Sequence, residues 1–348
     1  MRRPYPALFL PLALVLLCGH DMFLKPGRYF LAAESGAEIA LVNGTFSASE
    51  NVIDRGRMVD VSVVSGGRRE RVDTTQWSER GETTYLALET GAPGTYVVGV
   101  STRARSIEMD AEAFNDYLRH EGGVDMLAER ERDGVLGDAA TERYSKHVKT
   151  VVQVGDARTA DYATALDYPI EFVPVSNPYE LHPGDELPVR LLLRGAPLAN
   201  QVVLLGREGA AHGHSHAHEE HHGRDDDHVD EPHTHDAGVQ VRTDAAGVVT
   251  VPVPGDGVYH LRTIHLTTVD EPGLTHESNW ATLTFEVSHA RSHAAGGHAH
   301  GDHEHDGHEH GAHTHTNEHE GGLPTYAFWL GSLAVVGALF LFFRKGNS

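Results

Sequence analysis

Histidine is the residue type whose spacing in this chain could do chemistry. Twenty of its 27 histidines fall in two stretches. The first, 211–236, reads AHGHSHAHEEHHGRDDDHVDEPHTHD and supplies His212, His214, His216, His218, His221, His222, His228, His233 and His235. The second, 289–319, reads HARSHAAGGHAHGDHEHDGHEHGAHTHTNEH, with ligand candidates His298, His300, His303, His305, His308, His310, His313 and His315. Neutral imidazole is the commonest nitrogen ligand for borderline transition metals, and most of these rings are unprotonated at neutral pH. In an extended HxHxH segment alternate side chains project to one side, roughly 6–7 Å apart, so a flexible pair can converge on one ion. The interleaved carboxylates add hard ligands and a negative field that concentrates cations.

The blander readings of such tracts are a solubilising linker and a sensor that charges below about pH 6.5. Metal binding is the reading that composition favours. Histidine without cysteine suits nickel, cobalt, zinc or copper(II), and affinity order does not choose among them. Neither stretch has an apolar period, and both are rich in Gly, Ala, Asp and Glu. Such segments cannot bury enough surface to offset chain entropy and are expected to be loops.

Seven histidines lie outside the runs. His20 is the first residue after a signal peptide cleaved behind Gly19; its α-amine and imidazole could then chelate copper(II) or nickel(II) together. His147, His265 and His276 are further ligand candidates, each with a structural role as the alternative. His265 falls in the strand-like RTIHLTTV, on the face opposite Ile264 and Leu266. His120 and His182 read as surface residues. Cys18 is the sole cysteine, so the mature chain has neither a disulfide nor a thiolate site.

The chain needs elements that hold these ligands in place. Residues 1–19 carry Arg2 and Arg3, an apolar core and small residues, a secretory signal. A rival reading lipidates Cys18. Residues 325–343 form a 19-residue uncharged run followed by Arg344 and Lys345. At about 1.5 Å per residue the run nearly spans a hydrocarbon core of roughly 30 Å, with residues 344–348 as a cytoplasmic tail. The expected protein is single-pass, with its bulk periplasmic or extracellular. A formal charge of −22 argues against nucleic acid as a partner.

Between these ends the chain reads as mainly β. Two Ig-like or jelly-roll-type antiparallel sandwiches are expected, at 20–160 and 167–288. Runs at 39–42, 59–64, 84–88 and 95–100 are strand-like. A helical insertion interrupts the first sandwich at about 109–146. Asp110 can cap a helix that places Phe114, Tyr117 and Leu118 on one face. A second helix is expected around 124–132 and a third leading to Tyr144, before the strand HVKTVVQVG. The second sandwich carries the first run as an insertion between strands at 202–205 and 239–241. The second run belongs to a linker, 289–322.

HDMFLKP, AFNDYLRHEGG, ERYSKHVKTVVQVGD, PIEFVPVSNPYELHPGDELPVRLLLRGAPL, GVYHLRTIHL and NWATLTFEV, in that order, resemble exported proteins of unknown function often described as periplasmic components of nickel/cobalt uptake systems. The resemblance covers roughly residues 20–288 and excludes the runs and the C-terminal anchor. It implies a cell-envelope β-sandwich protein linked to transition-metal uptake, without established enzymatic activity. It also implies a ligand role for His265, within its GVYHLRTIHL motif.

The chain shows no nucleophile elbow, phosphate-cradling glycine loop or HExxH motif. The reading is therefore a non-enzymatic, membrane-anchored metal-capture protein serving a permease, with nickel or cobalt first. A zinc or copper buffer, a copper redox protein using His20, and an adhesion or scaffold protein are the alternatives.

Overall fold

Short β-branched and aromatic runs separated by turn residues dominate the chain, and they form strands. The computed structural model describes residues 21–208 and 238–288. The chain divides into two units, Met1–Gly297 and His298–Ser348, and every described residue belongs to the first. The signal at 1–19, His20, both histidine runs, the apolar run at 325–343 and the tail lie outside the described residues. Among the described residues no helix is long and apolar enough to cross a membrane.

The first half forms β1 (Asp21–Pro26), β2 (Phe30–Leu31), β3 (Gly36–Gly44), β4 (Met58–Ser65), β5 (Arg68–Arg71), β6 (Trp77–Arg80), β7 (Thr83–Glu89), β8 (Gly94–Thr102) and β9 (Arg105–Met109). Helices α1 (Ala111–His120) and α2 (Val124–Arg132) follow, then the 15-residue strand β10 (Ala140–Val154). The second half forms β11 (Ile170–Pro174), β12 (Glu186–Leu193), β13 (Ala196–Pro197), β14 (Val202–Glu208), β15 (Val239–Arg242), β16 (Val248–Pro252), β17 (Gly257–Glu271) and β18 (Leu274–Val287). The described fold is mainly β, with two α-helices.

A ten-stranded sheet organises everything else. Its path runs β15-β14-β17-β18-β10-β8-β4-β5, with β2 and β9 also paired to β10. Two four-stranded sheets, β1-β3-β7-β6 and one of β11, β12, β13 and β16, cover it. Side chains alternate across a strand, so neighbours in sequence should enter different cores. Val97 belongs to the core shared with β11, β12 and β16, and Val98 to the core shared with β1, β3 and β7. The central sheet is thus packed on both faces, which is why all nine residues of β8 are buried.

Two expectations change here. The pattern suggested separate sandwiches meeting near 160–167, yet strands from both halves share one sheet. The join is β10 on β18, parallel from Glu142↔His276 to Thr150↔Thr284, where purely antiparallel pairing was expected. The third helix, leading to Tyr144, is absent; residues 140–146 are the first half of β10. Antiparallel pairing with β9, Ala140↔Met109 to Tyr144↔Arg105, fixes that segment as strand.

The two helices are as the pattern implied. Asp110 caps α1, its Oδ1 accepting from Ala113 N at 2.8 Å. Phe114, Tyr117 and Leu118 are buried against Met126, Ile264 and Trp280. Arg130 of α2 ties the pair together, donating from Nε to Asn115 Oδ1 at 3.1 Å.

Candidate functional site

The departure points of both histidine runs belong to one end of the central sheet. β14 and β15 form a hairpin, paired from Val202↔Arg242 to Leu205↔Val239, and the first run connects them. β14 ends at Glu208, which pairs with Val258 of β17. Val258 pairs on its other side with Glu286 of β18, two residues before the last described residue, Ser288. Glu208 and Glu286 therefore flank one residue of one strand. Two inter-strand spacings make that roughly 10 Å.

The histidines of the described residues are not gathered. His147 lies in β10, 2% exposed. Its Nδ1 is 2.9 Å from Ser101 Oγ, and its Nε2 is 3.2 Å from Ser145 Oγ and 3.3 Å from Asn279 Oδ1. Burial pushes it down to about 4, against a smaller upward effect of Asn279, so it is neutral at pH 7. His276 in β18 is 4% exposed, against the Phe114 ring with its Nδ1 2.7 Å from Thr275 Oγ1. Burial, aided by Arg130, also lowers it to about 4. His265 is half-buried, its Nδ1 3.1 Å from Gln201 Oε1, and burial lowers it too. Each ring is engaged in its own local contacts. Among the described residues no group of three or more His, Cys, Asp or Glu is placed to hold a metal ion. An ordered site using His20 and His265 rests in part on His20, outside the described residues; β10, β17 and β18 carry His147, His265 and His276 to separate surroundings. His120 and His182 are not drawn into a cluster either; His120 Nδ1 is 2.7 Å from Asp116 O, and His182 Nδ1 is 3.7 Å from Asp185.

His260 carries no spacing or motif that singles it out. Its ring stacks on Phe46 at 4.2 Å and meets Phe23 edge-on at 5.4 Å. Nδ1 is buried with no hydrogen-bond partner. Burial, then Arg262 and Lys25, lowers it to about 4. Gly206, its partner across the ladder, makes the space: a Cβ there would lie 2.1 Å from His260 Nε2.

Near the start of β1 lies a buried charge network. Arg262 holds Asp21 at 3.1 Å and also Glu121. Burial pushes the Asp21 carboxyl up to about 7, although Arg262 opposes it. Lys146, beside Asn43 Oδ1 at 3.1 Å, is lowered to about 8 by burial. Glu142, 1% exposed, accepts from Tyr117 Oη at 3.0 Å and from Ser278 Oγ.

Two open clefts adjoin across the ridge Asp167–Tyr168–Pro169. One, about 390 Å³, is lined by Asp60, Arg69, Arg71, Ser101, Arg103, Ser145 and His147 among others. The other, about 460 Å³, is lined by Arg194, Gly195, Glu277 and Asn279 with the ridge. Ser145 Oγ donates to Asn279 Oδ1 at 3.0 Å, joining their floors. Tyr168 can lie on β8 because Gly99 has no Cβ; one there would sit 2.2 Å from Leu166 Cδ1 and 2.8 Å from Tyr168 Oη. No local motif marks these residues, which come from segments spread between 59 and 279.

With this geometry in place, comparison with protein families is informative. The family model described as "Domain of unknown function (DUF4198)" matches residues 17–267. The chain belongs to this family. The match confirms an affiliation with a family of unknown function and carries no information about nickel or cobalt uptake. No curated protein matches. Among solved structures, the D0-D1 domain of intimin aligns at 11% identity over 76% of this chain and 97% of that chain, with a TM-score of 0.18. Titin A168169 aligns at 8% identity over 76% and 96%, TM-score 0.15, and murine CEACAM1b at 5% over 77% and 99%, TM-score 0.17. At these scores the likeness defines neither fold nor function.

Proposed function

We propose that this DUF4198 protein is a membrane-anchored exterior protein that captures divalent transition-metal ions, nickel or cobalt first, for uptake by a permease. The observation that carries the reading is the concentration of 20 of 27 histidines in two runs. Their tethers at Glu208 and Glu286, on either side of Val258, add to it. Tethers about 10 Å apart start both runs from one end of the central sheet. The strand-rich halves act in this reading as Ig-like or jelly-roll modules that hold the tethers. The apolar run at 325–343 keeps the second run beside the membrane, where a permease would receive the ion. Nickel and cobalt come first from the family resemblance; zinc or copper would be bound by the same chemistry.

The test is calorimetric titration of the purified full-length protein with nickel, cobalt, zinc and copper(II). Beside it stand variants in which the histidines of one run, or of both, are replaced by serine. The reading expects several sites per chain, a loss of stoichiometry with each run, and weaker binding as pH falls through about 6.5. Unchanged stoichiometry after replacing both runs would end it. In cells, an uptake defect no greater at scarce than at abundant metal would also count against capture.

A further inference from the structure

A chain of formal charge −22 places four arginines on two adjoining clefts, Arg69, Arg71 and Arg103 on one and Arg194 on the other. Arg69 and Arg71 come from the edge strand β5, Arg103 from the β8–β9 turn and Arg194 from the β12–β13 turn. The lining carboxylates are three, Asp60, Asp167 and Glu277. Glu277 is already engaged from outside the groove by Arg143. Arg69 is spent on the protein, donating to Asp60 Oδ2 at 2.8 Å, Ser62 Oγ at 3.0 Å and Leu166 O at 2.9 Å.

The other three guanidiniums keep donors to offer. Arg71 reaches only the edge of Asp60, Nε to Oδ1 at 3.5 Å. Arg103 uses Nε alone, on Gly56 O at 3.3 Å. The Arg194 guanidinium has no hydrogen-bond partner among the described residues. Each can present a planar fork to a carboxylate or phosphate. The floor between them is polar and uncharged, made of Ser101, Ser145, Asn279 and neutral His147.

Asp60 is 8% exposed, and its buried Oδ1 lies 3.5 Å from Arg71 Nε. Asp167 and Arg194 hold φ of 57° and 51°, the left-handed region that non-glycine residues seldom adopt. Both line the groove, and Arg194 N donates to Pro169 O at 2.8 Å, fixing one loop to the other. Arg194 and Gly195, φ 51° and 78°, are the two-residue turn of the β12–β13 hairpin.

The geometry points to these adjoining clefts as a binding site for a small anion carrying two or more carboxylate or phosphate groups, one gripped by Arg71 and Arg103 and another met by Arg194 across the Asp167–Tyr168–Pro169 ridge. The three arginines are not metal ligands; His147 in the floor is one of the ligand candidates, so the test uses metal-stripped protein.

Calorimetry on metal-stripped full-length protein at pH 8, with citrate and with pyrophosphate, tests the assignment. One-to-one binding that weakens with added salt is expected. Arg71→Gln, Arg103→Gln and Arg194→Gln should each weaken it about tenfold, and the triple variant should abolish it. Arg80→Gln, an exposed arginine paired with Glu38 elsewhere, should leave it unchanged. All three groove arginines are exposed, so the variants should unfold at the parent's midpoint. Citrate binding alone selects carboxylate ligands, pyrophosphate binding alone selects phosphate, and either supports the site. No heat from either anion at millimolar concentration, or a triple variant that binds like the parent, overturns it.

Discussion

Lys149 and Glu171 form an ion pair at 2.8 Å with both side chains 1% exposed. The pair ties β10 to the connector behind the groove, since Glu171 Oε2 also accepts from Leu166 N at 2.8 Å and Lys149 donates to Thr164 O at 3.1 Å. Burial pulls the lysine down while Glu171 opposes that shift. Removing one partner leaves a buried charge alone, which costs roughly 3–5 kcal/mol. Lys149→Met and Glu171→Gln are each expected to lower the urea midpoint markedly. The double change Lys149→Met with Glu171→Leu should recover a good part of that loss. Single variants within about 0.5 kcal/mol of the parent would show that the pair is not buried in solution.

Acid should weaken the fold through its buried histidines. His147 and His276 are held near 4, against about 6.5 in an unfolded chain. Between those values the unfolded chain takes up protons that the folded chain refuses. Their contribution is therefore complete above about pH 6.5 and is lost as pH falls towards 4, on the order of 3 kcal/mol at most for each. Histidines with the same pKa folded and unfolded add nothing to this slope. His276→Phe, beside Phe114, should flatten the fall of the thermal midpoint between pH 6.5 and 4.5. An unaltered slope would mean that the ring titrates freely.

Gly206 is needed for its missing side chain. A Cβ would meet the His260 ring at 2.1 Å and push it off Phe46. Gly206→Ala should cost about 1–3 kcal/mol. Gly206→Ala combined with His260→Ala should be less damaging than the sum of the two single changes. Simple additivity in denaturant melts would show that the two positions do not touch.

The first histidine run should be dispensable for folding. Leu205↔Val239 closes the β14–β15 hairpin before the run begins. Replacing 211–236 by a short Gly-Ser turn is expected to leave stability within about 0.5 kcal/mol while removing its share of metal sites. A large drop in the melting midpoint would show that the run contributes to packing.

How far the sequence could be read follows from where its polar residues ended up. The cap at Asp110 with Phe114, Tyr117 and Leu118 is a local pattern, and α1 obeys it. The strand-like stretches at 39–42, 59–64, 84–88 and 95–100 fall inside β3, β4, β7 and β8. Residues 140–146 misled because Glu142 and Lys146, at 1% and 3% exposure, are buried charged groups in a strand. Their burial depends on Tyr117, Ser278 and Asn43, none of them near in sequence. The groove was invisible for the same reason: Arg71, Arg103, Arg194 and Asn279 meet only once the sheets are assembled.

The parallel ladder of β10 on β18 also governs when the sheet can be finished. Every pair from Glu142↔His276 to Thr150↔Thr284 joins residues 134 positions apart. Closing so long a loop is entropically costly, and contacts of this range slow folding. As the chain is synthesised, β10 has β8 and β9 on one edge long before β18 exists. Its other edge, apart from the two residues paired with β2, must wait for the last strand of the fold. A ribosome pausing before residue 274 would hold a half-built sheet with its central strand exposed, the species most open to pairing with a neighbouring chain.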